Sequence, residues 1–305
     1  MLSRSTTCPR TRTCRAGSPG APSRASSAAR SPSSSSAADL ATALQVTREA
    51  GIDAIGLWRE PVAEAGLATA AAMVADSGLR VSSLCRGGFF TGPDRRAALE
   101  ENRRAIEETA TLAAAGAPGS APVLVLVAGG LPDGDRDLPG ARARAADAVA
   151  ALADDAAAAG VVLAIEPMHP IYAADRGVIS TLGQALDVAE QFPADRVGVV
   201  VDTFHVWWDP HLDAQVRRAG SRIASYQVCD WITPLPADAL LARGMMGDGH
   251  VDFAAITRLV VDSGYAGDVE VEIFNQEIWD ADPAEIAERT AKAFEAHVAP
   301  WLPPR

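Results

Sequence analysis

Four apolar runs in the second half of this 305-residue chain end in, or carry, side chains that could do chemistry. VVLAIEP (161–167) ends in Glu166, with His169 close behind. VGVVVDTF (197–204) leads to Asp202, and His205 follows three residues on. IASYQVCD (223–230) carries Gln227 and Asp230, and DVEVEIF (268–274) carries Glu270 and Glu272. A buried carboxylate is costly unless it is paired or bound to a metal. Three acids brought together repel one another, and no lysine lies near these runs. The expected solution is a divalent cation held by Glu166, Asp202, Gln227 and Glu272, with Glu270 one layer deeper. An all-oxygen set favours Mn²⁺ or Mg²⁺ over Zn²⁺.

Each residue also has a plainer reading. Glu166 could cap a helix or pair with Arg176, and Asp202 could close an Asx-turn. Gln227 could be an ordinary polar residue of a barrel interior, and His205 and His169 could bond to backbone. Their shared position at the ends of successive runs is what favours a site.

The elements that must position these groups are legible from Ala37 onward. The four runs join three earlier ones, IDAIGLW (52–58), LRVSSLC (79–85) and APVLVLVAG (121–129). Ala-rich stretches near 39–50, 60–77, 94–115, 141–159, 181–192, 211–219, 252–263 and 282–298 read as helices. Most end in a glycine, as helix C-termini favour. Val- and Leu-rich runs separated by helices imply βαβ units and a parallel sheet. No GxGxxG opens a helix, which argues against a dinucleotide-binding sheet. The expected fold is a (β/α)₈ TIM barrel over residues 37–305, with its first strand degenerate or missing. Such barrels keep their chemistry at the C-terminal ends of the strands.

Residues 1–36 differ in kind. They hold six arginines, many serines and no acid. Such a segment buries too little apolar surface to offset its ordering entropy, so a disordered tail is expected. An organelle leader, or a start outside the natural reading frame, are the alternatives. The net charge of −12 argues against nucleic acid as partner. No apolar run is long enough to span a membrane. Four cysteines without a CxxC pair read as reduced thiols, which fits a cytoplasmic setting. A small-molecule substrate is expected, with self-association as a homo-oligomer left open.

AIEPMHP, VDTFHVWWDP, YQVCDW, RGMMGDGHVDF and VEVEIF together resemble the sugar phosphate isomerase/epimerase family, the xylose isomerase-like TIM barrels. GIDAIGLWRE and GLRVSSLCRGGFF resemble its second and third strands, and the likeness spans roughly residues 38–300. The resemblance implies one divalent metal, often Mn²⁺, held by Glu, Asp, His and Glu. Glu166, Asp202 and Glu272 match three of these, and Gln227 stands where the family has histidine. It also implies that His205 contacts substrate.

The expected activity is therefore isomerisation or epimerisation of a sugar or sugar-like hydroxy-carbonyl compound through an enediolate. Glu166 and Glu272 would move the proton. His205 would hold a hydroxyl, with His169 and Arg86 as further binding candidates. Trp58 and Trp208, with Trp207 and Trp231, would form an apolar wall or simply pack. The glycine loop 243–249 would either offer N–H groups to a phosphate or merely turn. The alternative activity is a metal-dependent sugar-acid or inositol-type dehydratase on the same barrel. An AP-endonuclease-like nuclease, for which Asp248 and His250 imitate a ligand pair, and a non-catalytic sugar-binding barrel rank lower.

Overall fold

The protein is described here from a computed structural model covering residues 39–303. The segment 1–36, expected to stand apart from the barrel, lies outside the described residues. Nine strands follow in chain order: β1 (Ala54–Trp58), β2 (Arg80–Gly88), β3 (Val123–Val127), β4 (Val162–Glu166), β5 (Val197–Asp202), β6 (Ile223–Val228), β7 (Asp230–Trp231), β8 (Arg243–Gly244) and β9 (Val269–Val271). Strands β1 to β6 and β9 make one parallel sheet in that order, while β7 and β8 pair antiparallel beside it. The seven apolar runs are thus the seven sheet strands.

Eleven helices alternate with the strands: α1 (Leu40–Glu49), α2 (Arg59–Ala65), α3 (Leu67–Ser77), α4 (Arg95–Ala115), α5 (Leu138–Ala158), α6 (Leu182–Ala189), α7 (Thr203–Val206), α8 (Leu212–Ala219), α9 (Phe253–Asp262), α10 (Gln276–Asp280) and α11 (Pro283–His297). Their starts are set by side-chain caps. Asp39, Asp94, Asp137, Thr181, Asp252 and Asp282 each accept a backbone N–H of the first turn. The expected helix over 60–77 is broken in two, because Gly66 lies at φ 80 between α2 and α3.

Period-two alternation divides each strand between two cores. Leu124, Leu126, Leu163, Ile165, Val199 and Val201 face the helices. Val123, Val125, Ala164 and Val200 fill the barrel with Trp58, Cys85 and Phe274. Two residues beyond Ala164 comes Glu166, and two beyond Val200 comes Asp202. The same alternation that buries valine therefore turns both acids inward at the strand ends.

β1 and β9 stand at opposite ends of the strand order and do not pair. A cavity of about 990 Å³ runs from this seam under the N-terminal ends of the strands, past Ala54, Tyr265 and Phe294. Two side-chain contacts bridge β2 to the β9 segment there. Arg80 donates twice to Asp268, at 3.1 and 2.6 Å, and Ser83 donates to Glu270 at 3.0 Å. Among the described residues no helix is long and apolar enough to cross a membrane.

Candidate active site

A pocket of about 280 Å³ opens at the C-terminal end of the barrel, with Glu166, His205, Arg243 and Glu272 in its wall. Glu166 ends β4 opposite Val127, and Asp202 ends β5 in register with Gln227, which is itself in register with Glu270. Glu272 follows β9, where its N–H donates to the Val228 carbonyl at 3.2 Å. All of these side chains are buried.

The acids do not lack a cation from the chain itself. Arg243, only 2% exposed, enters the cluster from β8. Its Nη1 donates to Glu272 Oε2 at 2.6 Å and to Asp202 Oδ2 at 3.1 Å, and its Nη2 lies 3.1 Å from His205 Nε2. No lysine lies near the strands, and the cation comes instead from the RGMMGDG loop. The one signal for it in the sequence was an arginine opening that loop.

A second correction concerns the loop's N–H groups. Asp230 Oδ2 accepts from Gly247 and Gly249 at 2.9 and 2.8 Å, and Oδ1 accepts from Trp231 and Val251, both at 2.9 Å. These donors are spent on a buried carboxylate and do not face a phosphate. His250 is exposed, with Nε2 3.1 Å from the Thr233 hydroxyl and its ring stacked on Trp207.

The remaining predicted residues separate into those in the pocket and those behind it. Trp58 and Arg86 line it, together with Phe89 and Phe274, which the sequence did not single out. Trp208 sits behind, its Nε1 donating to the His205 carbonyl at 2.8 Å. Trp231 lies tilted against the His169 ring, and Trp207 tilted against Trp231. The His169 ring nitrogen accepts from the Ile171 N–H at 3.2 Å. His169, Trp207, Trp208 and Trp231 thus brace the wall rather than line it. Glu166 does not pair with Arg176, whose acidic neighbours are Asp175 and Asp238. Asp202 does close an Asx-turn, with Oδ1 accepting the Phe204 N–H at 2.8 Å. Gln227 turns its Nε2 to Glu270 at 3.3 Å and leaves Oε1 buried without a partner.

Burial controls the protonation of these groups. It pushes Glu166 well above the usual carboxylate range, and the charges of Glu272 and Asp202 push it further. It raises Glu272 to about 7 against the opposing pull of Arg243. Burial, reinforced by Arg243, drives His205 far below the usual histidine range, so its ring is neutral. Its Nδ1 accepts the His169 backbone N–H at 3.0 Å, which puts the single ring proton on Nε2. Nε2 lies 3.6 Å from Asp202 Oδ2 and 3.9 Å from Glu166 Oε1, and 3.1 Å from Arg243 Nη2, which is itself a donor and cannot accept its proton.

The cluster has the character of a cation site. One atom each from Glu166, Asp202 and His205 lie within 4.8 Å of one another. Glu166 accepts no hydrogen bond among the described residues, and Gln227 Oε1 is an orphaned acceptor. Three carboxylates facing one guanidinium leave two negative charges, which a divalent ion balances. A ring nitrogen that carries a proton has no lone pair for a metal. With that tautomer His205 would donate to an oxygen, and Glu166 and Asp202 would be the first ligands of an ion.

Comparison with known proteins places the fold. The chain is 28% identical over 251 residues to L-ribulose 3-epimerase of Mesorhizobium japonicum, covering 81% of this chain and 80% of that one. The crystal structure of protein SMc04130 from Sinorhizobium meliloti 1021 superposes with a TM-score of 0.80 at 44% identity, over 86% of this chain and 94% of that one. The IolI protein with a bound zinc atom shares the fold at 21% identity and a TM-score of 0.72, over 88% and 95% of the two chains. The family model for xylose isomerase-like TIM barrels matches residues 44–297, and the chain belongs to that family.

Proposed function

We propose that this protein is a divalent-metal-dependent isomerase or epimerase of a sugar or sugar-like hydroxy-carbonyl compound. The observation that carries the reading is a pair of buried carboxyl groups, Glu166 and Glu272, in the wall of one small pocket with the Arg243 guanidinium and the His205 ring beside them. The relation to an L-ribulose 3-epimerase supports the same class.

The chemistry needs a base for the proton next to a carbonyl and an acid to return one. Glu166 and Glu272 stand three places apart in the order β4, β5, β6, β9, so they approach a bound substrate from different strands. In the ion-free site burial and two neighbouring charges favour the protonated form of Glu166, whereas as a ligand of a divalent ion it would be ionised. Glu272, paired with Arg243, is the one more readily ionised. The Nε2–H of His205 and the guanidinium of Arg243 donate to the substrate oxygens where enediolate charge develops. A divalent ion on Glu166 and Asp202, Mn²⁺ or Mg²⁺ by the oxygen character of the donors, would supply Lewis-acid polarisation of the carbonyl. Trp58 and Phe274 give the pocket an apolar side.

The test is exchange of solvent deuterium into a panel of ketoses, L-ribulose among them, after chelation and reloading with each ion in turn. Glu166→Gln and Glu272→Gln should each lower turnover by about 10²–10⁴-fold. Either variant retaining more than about a tenth of the activity would remove that residue from proton transfer. Water loss instead of isomer exchange would move the reaction to the dehydratase class.

A further inference from the structure

Besides Arg243 the pocket holds two guanidinium groups that make no hydrogen bond to Glu166, Asp202 or Glu272. Arg243 is the counter-ion of Asp202 and Glu272. Arg86 and Arg176 line the same cavity. Arg86 makes no hydrogen bond or ion pair among the described residues. Its guanidinium is flanked instead by two rings, 4.7 Å from the Phe89 centroid and 5.7 Å from that of Trp58. Arg176 has only distant acids, Asp175 Oδ2 at 3.5 Å from Nε and Asp238 Oδ2 at 3.9 Å from Nη2. Its Nε is buried and donates to nothing.

Both arginines are set there by backbone features. Along the β2–β3 ladder Cys85 pairs with Val125 and Gly87 with Leu126, so Arg86 is the extra residue of a bulge. Bulges re-aim a side chain, and this one delivers a guanidinium into the barrel mouth. The Arg176 segment is clamped on the chain after β3. Val178 donates to the Gly129 carbonyl at 2.9 Å, and a Cβ on Gly130 would lie 2.3 Å from the Asp175 carbonyl carbon. The segment after β2 rests on the same stretch, with Phe90 donating to the Ala128 carbonyl at 2.9 Å. Arg86 thus comes from β2 and Arg176 from the loop after β4, the strand that also ends in Glu166.

We propose that the substrate is an anion, a hydroxy-carbonyl compound with a terminal carboxylate or phosphate that Arg86 and Arg176 bind while its carbonyl end meets Glu166 and Glu272. This rests on the proposed isomerase or epimerase reading and adds the substrate's charge to it. A buried N–H without a partner is satisfied by an acceptor that arrives with the ligand. A planar guanidinium stacked between rings is preorganised to present its fork to a carboxylate or phosphate. A cavity of about 280 Å³ takes only a small molecule, so one ligand reaches both ends.

The experiment is calorimetric binding to the metal-loaded protein of three analogues that lack the carbonyl and cannot react: a pentitol, the pentitol phosphate and the matching aldonate. One of the two anions should bind at least about tenfold tighter than the pentitol, and which one does so separates phosphate from carboxylate. Arg86→Gln and Arg176→Gln should each erase that preference, and Arg86→Lys should restore part of it. Equal binding of all three by the wild-type protein overturns the proposal without recourse to any variant. So does a preference for the anion that survives both glutamine substitutions, because the anion is then held elsewhere. Deuterium exchange into the matching neutral and anionic ketoses is read separately. Arginine-dependent anion binding without exchange into any ketose would sink the isomerase reading and leave the anion site standing. Exchange into the neutral ketose with no preference for the anions would do the reverse.

Discussion

At the scale of single residues, Arg243 is the side chain on which the ion-free site depends. It is fully buried and bonded to two carboxylates, so Arg243→Met would strand both. Breaking such a buried pair costs about 3–5 kcal/mol. Urea denaturation in the presence of chelator should show that loss, and saturating Mn²⁺ should recover part of it by binding the native state. Unchanged stability would mean that Arg243 is no counter-ion. Glu272 adds a pH dependence. Its carboxyl titrates near 7 in the fold and near the ordinary carboxylate range when unfolded, so the folded state binds more protons between those limits. Its contribution is present at low pH and lost as pH rises to about 7 and beyond. His169, which burial lowers to about 4, works the other way, and only below the ordinary histidine range. With chelator present, the wild-type protein should melt lower at pH 8 than at pH 6.5, and Glu272→Gln should flatten that slope. A wild-type slope of the opposite sign would refute the account.

At the scale of elements, the two-residue strands β7 and β8 matter more than their length suggests. β8 carries Arg243, and its pairing with β7 is reinforced by Asp230, whose carboxylate gathers four backbone N–H groups. A charged acceptor can take all four, whereas an amide offers one oxygen and a competing NH₂. Asp230→Asn should leave at least one buried donor unmet and cost about 1–3 kcal/mol. It should also speed hydrogen exchange at the amides of Gly247, Gly249 and Val251 more than in the barrel strands. Exchange at those three amides unchanged from wild type would show that the loop holds its shape without Asp230.

At the scale of the whole molecule, the sheet has a seam. Parallel strands are normally covered on both edges, yet β1 and β9 leave their facing edges unpaired among the described residues. Across the gap α1 packs on α11 through Val46 and Ala287, Trp58 meets Phe274, and the polar contacts include the forked Arg80–Asp268 pair at the N-terminal end of the strands and the Ser83–Glu270 bond above it. The ion pair is partly exposed, so its net value is about 1 kcal/mol. Arg80→Gln should therefore lower Tm by only a few degrees. It should also open the amides of β9 to exchange before those of β3 and β4. Equal protection of β3 and β9 in that variant would mean that the seam is held by something other than this pair. Because Glu270 and Glu272 sit on the seam strand, the same variant should loosen the catalytic end as well.

Local pattern was enough to find the seven strands, the barrel and the inward-facing acids. Burial on both faces of a parallel strand demands a nearly unbroken apolar run, and a period of two then fixes that Glu166, Asp202 and Glu272 share the interior with Ala164, Val200 and Glu270. Caps and glycines marked the helices for the same reason: their effect is confined to one turn. What the sequence alone left open depends on distance through space. That Arg243, rather than a lysine, meets the acids follows from where a two-residue strand pairs, far along the chain from Asp202. That Gln227 leans toward Glu270, and that Asp230 consumes the glycine loop's donors, follows from which partners stand within 3.3 Å. The bulge that turns Arg86 inward exists only as a mismatch between β2 and β3. Side-chain direction along a strand is a property of the strand, and sequence carries it. The pairing of charges across a pocket is a property of the closed barrel, and only the tertiary structure decides it.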